Sequence, residues 1–450
     1  MTNNQRDTCG SPIVTILVVL LRLVTGGVFA FSGLAKAIDP WGGYYKITEY
    51  LNALGWVQWT DFALLAAVAL AAAEAVLGVL LMVGAYRRGA PALLLLLMLV
   101  LTPLTLWLAI NDAVADCGCF GDALHLSNWA TFGKNLLLLA ALAVLLWLRP
   151  RIRGWYGPAV QWIVAALTLA VVLAVAYVGY FTQPLIDFRP YKVGTRLAAF
   201  NPAPSDDDYL FIYKKDGKEQ AFSLDSLPDE EDGWTFVDRR PVLATRGNVV
   251  EKSGHQLVML DDGIDVTADV LGDSCVMLIL FPDLPTVSVA HTFAIHGLAD
   301  YAQAHHAAFY GVSAATEPEV EHWRDISMAS YPMLTADDSD IKMLARGNPA
   351  VACVEGGVVK WKRTLGSISA DRIHDPVLTP ASLGDDLQPA FTLSKIFTPY
   401  VLAMITLLVI NRTHLLVGAL IRRVRRNGGE REEQPAEPAN EQNNEQNNEE

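Results

Sequence analysis

Unbroken apolar runs dominate the chain up to Tyr180 and recur once near its C-terminal end. Ile13–Phe31, Phe62–Met82, Pro91–Ile110, Trp129–Leu148, Ala159–Tyr180 and Ile396–Leu420 each come close to the ~20 residues a helix needs to cross hydrocarbon. A backbone in lipid must satisfy its own hydrogen bonds, so six membrane helices are predicted. The sixth is interrupted by Asn411 and Arg412. The first resembles a secretory leader ending at Ala30-Phe31-Ser32, but it is long for one and contains Arg22, so a retained helix is expected.

Between the fifth and sixth runs the pattern changes. Leu210–Tyr213 and Gln220–Ser223 flank Lys214-Lys215-Asp216-Gly217-Lys218, which reads as a hairpin. Cys275–Phe281 and Ala308–Val312 are short apolar runs suited to buried strands, and Val287–His306 and Glu317–Arg324 read as helices. Val351–Val354, the Glu355-Gly356-Gly357 turn and Val358–Arg363 form a closing hairpin. Alternating strands and helices that end this way suggest a mixed α/β sheet. The expected units are a cytoplasmic N-terminus at 1–12 and a four-helix membrane domain at 13–148. A fifth span at 159–182, an outer α/β domain at 183–395 and a sixth span at 396–420 follow. A basic-then-acidic tail at 421–450 ends the chain.

Composition supports a bilayer as the surrounding partner. Of 450 residues, 52% are hydrophobic and 18% charged, and the mean hydropathy is +0.28. Short-loop cations set orientation. Arg87-Arg88, then Arg149, Arg151 and Arg153, then Arg422, Arg423, Arg425 and Arg426 fall on one side, taken as cytoplasmic together with the N-terminus. Lys36 and Lys46 weaken the contrast on the other side. In a bacterial inner membrane, the segment Lys36–Asp61, the loop before the fourth span and the large domain would then be periplasmic. The net charge of −14 is concentrated in the outer domain and the tail. The polar tail repeat builds no core, and no basic face suggests nucleic acid. Cys9 precedes the first apolar run, the wrong order for a lipoprotein signal.

The chemistry-bearing motif is Cys117-Gly118-Cys119-Phe120-Gly121-Asp122, in the loop between the third and fourth spans. Cysteines at i and i+2 can bridge in a turn, and glycine between them permits the dihedrals of so small a ring. A strained disulfide is oxidising and suits exchange. Three readings stay open: an exchange-active pair, an inert bridge or idle thiols, and a soft-metal site that would need further ligands such as Asp122 and His125. Lys36 and Lys134 are expected at similar depth and could favour a thiolate, against Asp112, Asp116 and Asp122. Arg22 and Glu74, each near the centre of its span, are expected to pair across helices. That pair would serve either as a proton or headgroup site or as a register-fixing ion pair.

Leu21-Arg22-Leu23, Gly26-Gly27-Val28-Phe29, Phe31-Ser32-Gly33-Leu34-Ala35-Lys36, Asp39-Pro40, Glu74 and the CGCFGD loop together resemble the DoxX/MauE group of small membrane proteins. The resemblance covers roughly Ile13–Leu148. It implies a DoxX-like four-helix core and a redox-associated role. MauE-type members are implicated in disulfide formation in periplasmic methylamine dehydrogenase. DoxX-type members are linked to thiol or quinone-coupled oxidation, so a quinone is the cofactor implied. The outer domain's element order resembles the thioredoxin-like fold, with Asn348-Pro349 where that family has its cis-proline. Where the family places Cys-x-x-Cys, this chain has Pro282-Asp283-Leu284-Pro285-Thr286, which implies a degenerate, binding relative. Cys275 and Cys353 read as small core residues rather than nucleophiles, with a bridge between them as the lesser alternative. His291, His296, His305 and His306 are spaced to splay apart rather than to ligate a metal. Two functions follow: a membrane thiol–disulfide oxidoreductase working on a periplasmic thiol or disulfide protein, or a non-enzymatic scaffold whose outer domain binds a partner.

Overall fold

The computed structural model describes residues 12–111, 118–124, 126–152, 154–197, 209–215, 218–222, 228, 234–241, 257–272 and 274–432. Cys9, Asp112, Asp116, Cys117, His125, Arg153, the turn Asp216-Gly217 and the end of the tail lie outside them. The first helices are α1 Pro12–Ile38, α2 Pro40–Ala53, α3 Ala63–Val83 and α4 Gly89–Asn111. The short strand β1 Cys119–Asp122 follows, then α5 Asn128–Trp147 and α6 Gln161–Phe181. Among the described residues, six helices are long and apolar enough to span a bilayer, including the start of the last helix.

Close approach of α1 and α3 sets the frame of the bundle. A Cβ on Gly33 would lie 2.3 Å from the Ala75 nitrogen, and one on Gly78 would lie 2.4 Å from that of Ala30. Small residues at these positions let the backbones touch, as membrane helices do where apolar burial gives no drive. The contacts also fix the antiparallel register. Gly26 faces Gly78 and Met82, and Gly33 faces Ala71 and Ala75.

The segment read as an outer loop, Lys36–Asp61, instead holds the end of α1 and all of α2. Asp39 caps α2 by accepting from the Gly42 N–H at 2.9 Å, with Pro40 in the first turn. The Trp41 ring stacks on Tyr180 with centroids 5.1 Å apart, which ties α2 to the end of α6.

The domain between α6 and the last helix, expected from the sequence to be the outer one, contains a small sheet of β2 Tyr209–Lys215, β3 Lys218–Phe222 and β4 Thr235–Pro241, ordered β3-β2-β4. Its main sheet uses β5 Met259–Asp261 and β6 Ile264–Asp265, then, after α7 Thr267–Gly272, β7 Cys275–Phe281. Helix α8 Thr292–Ala304, β8 Ala308–Ser313, α9 Glu317–Ser327, β9 Met333–Ala336 and α10 Asp338–Leu344 follow. The hairpin β10 Ala350–Glu355 and β11 Val358–Thr364 closes the sheet, before the one-turn helices α11 Ala370–Ile373 and α12 Pro380–Leu383. The order is β11-β10-β7-β8-β9-β5-β6. β7, β8 and β9 run parallel, and β10 and β11 run antiparallel.

Both faces of the sheet are buried, which is why β7 is apolar throughout. Val276, Leu278 and Leu280 point to one core, with Leu271, Ile341 and Leu344. Met277, Ile279 and Phe281 point to the other, with Leu298, Trp323 and Cys353. The Asn348–Pro349 peptide is cis.

Helix α13 Pro389–Glu432 returns through the membrane. The polar interruption at Asn411 has a structural use: its side-chain oxygen accepts the Gly157 N–H at 3.3 Å. The Tyr156 hydroxyl donates to the Met404 carbonyl at 2.9 Å. α13 does not end where the predicted tail begins at 421. It runs on through the basic stretch to Glu432, because Arg and Glu are good helix formers even outside lipid.

Candidate functional site at the Cys-Gly-Cys loop

Ser32 and Lys36 are one turn apart, on a single face of α1. That face meets Glu74 of α3. The Lys36 ammonium lies 2.6 Å from Glu74 Oε2. The Ser32 hydroxyl lies within hydrogen-bond reach of the same carboxylate oxygen and of the Cys119 carbonyl, each at 2.7 Å. Lys36 Nζ also donates to Ser32 Oγ at 2.8 Å and to the Cys119 carbonyl oxygen. The pair is buried, with side-chain exposures of 12% and 5%. An ammonium, a carboxylate, a hydroxyl and a main-chain carbonyl thus form one polar knot inside an apolar bundle. Charges survive burial when paired and hydrogen-bonded in this way.

The expected Arg22–Glu74 pair is corrected here. Glu74 takes Lys36, because the helix register sets residues 30–34 of α1 opposite it. Arg22 is ten residues nearer the other end, about 15 Å away at 1.5 Å per residue. It is buried within the bundle. Midpoints of apolar runs did not give depth, since α1 continues past Phe31 to Ile38.

The loop itself turns on Gly118, with φ of +61°, where a Cβ would sit 3.2 Å from the Lys46 side chain. Phe120 is anchored between α1 and α5. Its ring lies 5.8 Å from that of Phe31, and Lys134 Nζ sits 4.4 Å over its face. Both lysines singled out in the sequence therefore flank β1. Lys36 binds the main chain of Cys119, and Lys134 binds the Phe120 ring. Cys117 lies outside the described residues.

A recess with about 80 Å³ of internal space, open on one side, adjoins the knot. Its apolar walls include Ile47, Leu70, Leu101 and Leu104, and Lys36, Lys46, Glu74 and Cys119 also line it. A smaller space across Glu74 and Cys119 reaches Lys134 and Asn135.

Sequence reasoning missed Arg346, just after α10. It is buried and joins the sheet domain to the start of α2 and to the Cys-Gly-Cys loop. Nε donates to Asp39 Oδ2 at 2.8 Å and Nη2 to Asp122 Oδ2 at 2.5 Å. Its backbone N–H donates to Gln183 at 3.0 Å. Burial alone would lower its pKa, but the two carboxylates raise it above the usual guanidinium value. Nearby, burial pushes the Asp187 carboxyl up, while Arg189 and Lys362 overcome it and hold it down at about 2. The turn after β7 is stitched by Asn348, whose side-chain N–H₂ donates to the Asp283 carbonyl at 2.7 Å. No local signal in the sequence joins Arg346 to Asp39, 307 positions away.

These features define a multi-pass membrane protein whose mixed-sheet domain sits at the end of the bundle that carries the Cys-Gly-Cys loop. The model of the family described as Methylamine utilisation protein MauE matches residues 14–148, from α1 through α5 and including the whole polar knot. The family described as Domain of unknown function (DUF8463) matches residues 208–246, which hold the three-stranded sheet. No curated protein and no solved structure matches the chain.

Proposed function

We propose that the protein supports thiol–disulfide chemistry on the periplasmic side of a bacterial inner membrane, in service of methylamine utilisation. Cys117 and Cys119 are its redox pair. The observation that carries this reading is the fixing of the Cys119 main chain by Lys36 and Ser32, themselves held by Glu74, beside an open recess at the end of the bundle where the outer domain docks. A dithiol on a partner protein would become a disulfide as the Cys117–Cys119 disulfide is reduced to two thiols. The lining of the recess suits the quinone implied by the DoxX/MauE resemblance: Ile47, Leu70, Leu101 and Leu104 would face its apolar parts, and Lys46 offers an N–H donor. When bound, a quinone supplies an acceptor for two electrons and two protons. The outer domain's strand order supports a thioredoxin-like docking module. Its stitched, thiol-free turn after β7 favours recognition of a partner over exchange there, which is the scaffold reading for that domain.

The test is differential thiol trapping in intact cells. Cys117 and Cys119 are expected to cycle between reduced and oxidised forms, to react with a membrane-impermeant maleimide after reduction, and to be required for oxidation of the partner. A C117S/C119S variant that leaves partner disulfides at the wild-type level would sink the redox reading and leave the scaffold.

A further inference from the structure

The outer domain holds a second pair of sulfurs. Cys275 is the first residue of β7, and Cys353 is in mid-β10. In the antiparallel register Cys353 faces Met277 and Cys275 faces Glu355. Cys275 is therefore the diagonal neighbour of Cys353. The period of two puts both side chains on the face covered by α8. Their Sγ atoms are 3.7 Å apart. Cys353 is fully buried and Cys275 partly exposed. The hydrogen bond from Cys353 holds the Cys275 thiol below its ordinary pKa against its burial. The same bond, together with burial, pushes Cys353 up.

We infer that Cys275 and Cys353 form a redox site of their own, a dithiol whose substrate is an exposed external disulfide. The asymmetry of the pair assigns the roles. The accessible, more acidic Cys275 thiolate attacks one sulfur of the external disulfide, forming a mixed disulfide and releasing one thiolate. Cys353 then attacks the Cys275 sulfur, giving up its proton and displacing the second thiolate. Two protein thiols are oxidised to one disulfide, and one external disulfide is reduced to two thiols, which take up the two protons. A disulfide needs about 2.05 Å between sulfurs, so the pair must close by a further ångström or more. That shift falls on Cys275, which follows a bend at Ser274 at the end of its strand, rather than on the centre of β10.

The site does not rest on the loop pair. Cys275 lies at the opposite end of β7 from the Asp283–Asn348 junction, about 20 Å away at 3.3 Å per residue.

Full-length protein in detergent is incubated with oxidised glutathione, trapped with N-ethylmaleimide, digested and mapped by mass spectrometry. In the wild type, most molecules are expected to yield a peptide cross-linked between Cys275 and Cys353, reversed by dithiothreitol. The C353S variant is expected to keep glutathione on Cys275. Full alkylation of both thiols in the folded wild type after oxidant exposure overturns the proposal, as does glutathione found on Cys353 in place of the cross-link. The wild-type map decides the matter even where C353S fails to fold.

Discussion

Lys36 is the most consequential single side chain, because it is the only cation within salt-bridge distance of Glu74 among the described residues. Removing the carboxylate charge leaves an ammonium in the bundle with neutral acceptors alone. Glu74→Gln is expected to lower stability by about 3 kcal/mol, the scale for breaking one side of a buried pair. Replacing both partners, Lys36→Met with Glu74→Leu, is expected to recover more than half of that loss. Thermal unfolding of the purified variants in detergent is the check, and equal stability of Glu74→Gln and wild type would show that the pair contributes nothing. At this scale the sequence was legible in kind but not in pairing. Glu74 stood out as an intramembrane acid and Lys36 as a cation near the loop. Their meeting depended on helix register, which no single residue reports. The clue was present in another form: Gly26 and Gly33 on α1 against Ala71, Ala75 and Gly78 on α3.

Those small residues carry the argument at the scale of elements. A side chain at Gly33 has backbone in its way, whereas one at Gly27 meets nothing within 4 Å. Gly33→Val is expected to cost about 2 kcal/mol or more by overpacking, and Gly27→Val to stay within about 0.5 kcal/mol of wild type. Melting in detergent separates them, and equal effects would mean that the helices do not touch as described. Elements with strong patterns were readable in advance. Cys275–Phe281 coincides with β7, and each of the six spans matches a long helix to within two residues or lies inside one. Helix α2 was not readable, because Gly42-Gly43 and its run of aromatics blur the 3.6-residue period. β9 and α10 also escaped, being too short for a period to show. Asn411 weakened the last span in the sequence, yet it is the residue that binds that helix to Gly157.

For the molecule as a whole, Arg346 is the joint. It spans the start of α2, the Cys-Gly-Cys loop and the outer domain with one guanidinium. Asp122 is partly exposed, so a modest figure applies. Arg346→Met is expected to weaken docking by about 2 kcal/mol, roughly a thirtyfold rise in the opened population. Hydrogen exchange is expected to accelerate in residues 183–189, while the amides of β7, deep in a sheet with its own two cores, keep their protection. Unchanged exchange at 183–189 would show that the domain is held by its chain connections alone. None of this interface was legible beforehand, since its residues come together only after both parts have folded.

The grip on Cys119 is taken on its carbonyl oxygen, by an ammonium and a hydroxyl from α1. A handle on the main chain is blind to whatever is bonded to the sulfur. Thiol, thiolate, ring disulfide and mixed disulfide would all leave the handle in place, and so would serine in the cysteine's stead. Under the proposed redox role, the loop would be scaffolded identically at every oxidation level, with the variable chemistry hung from a fixed peg.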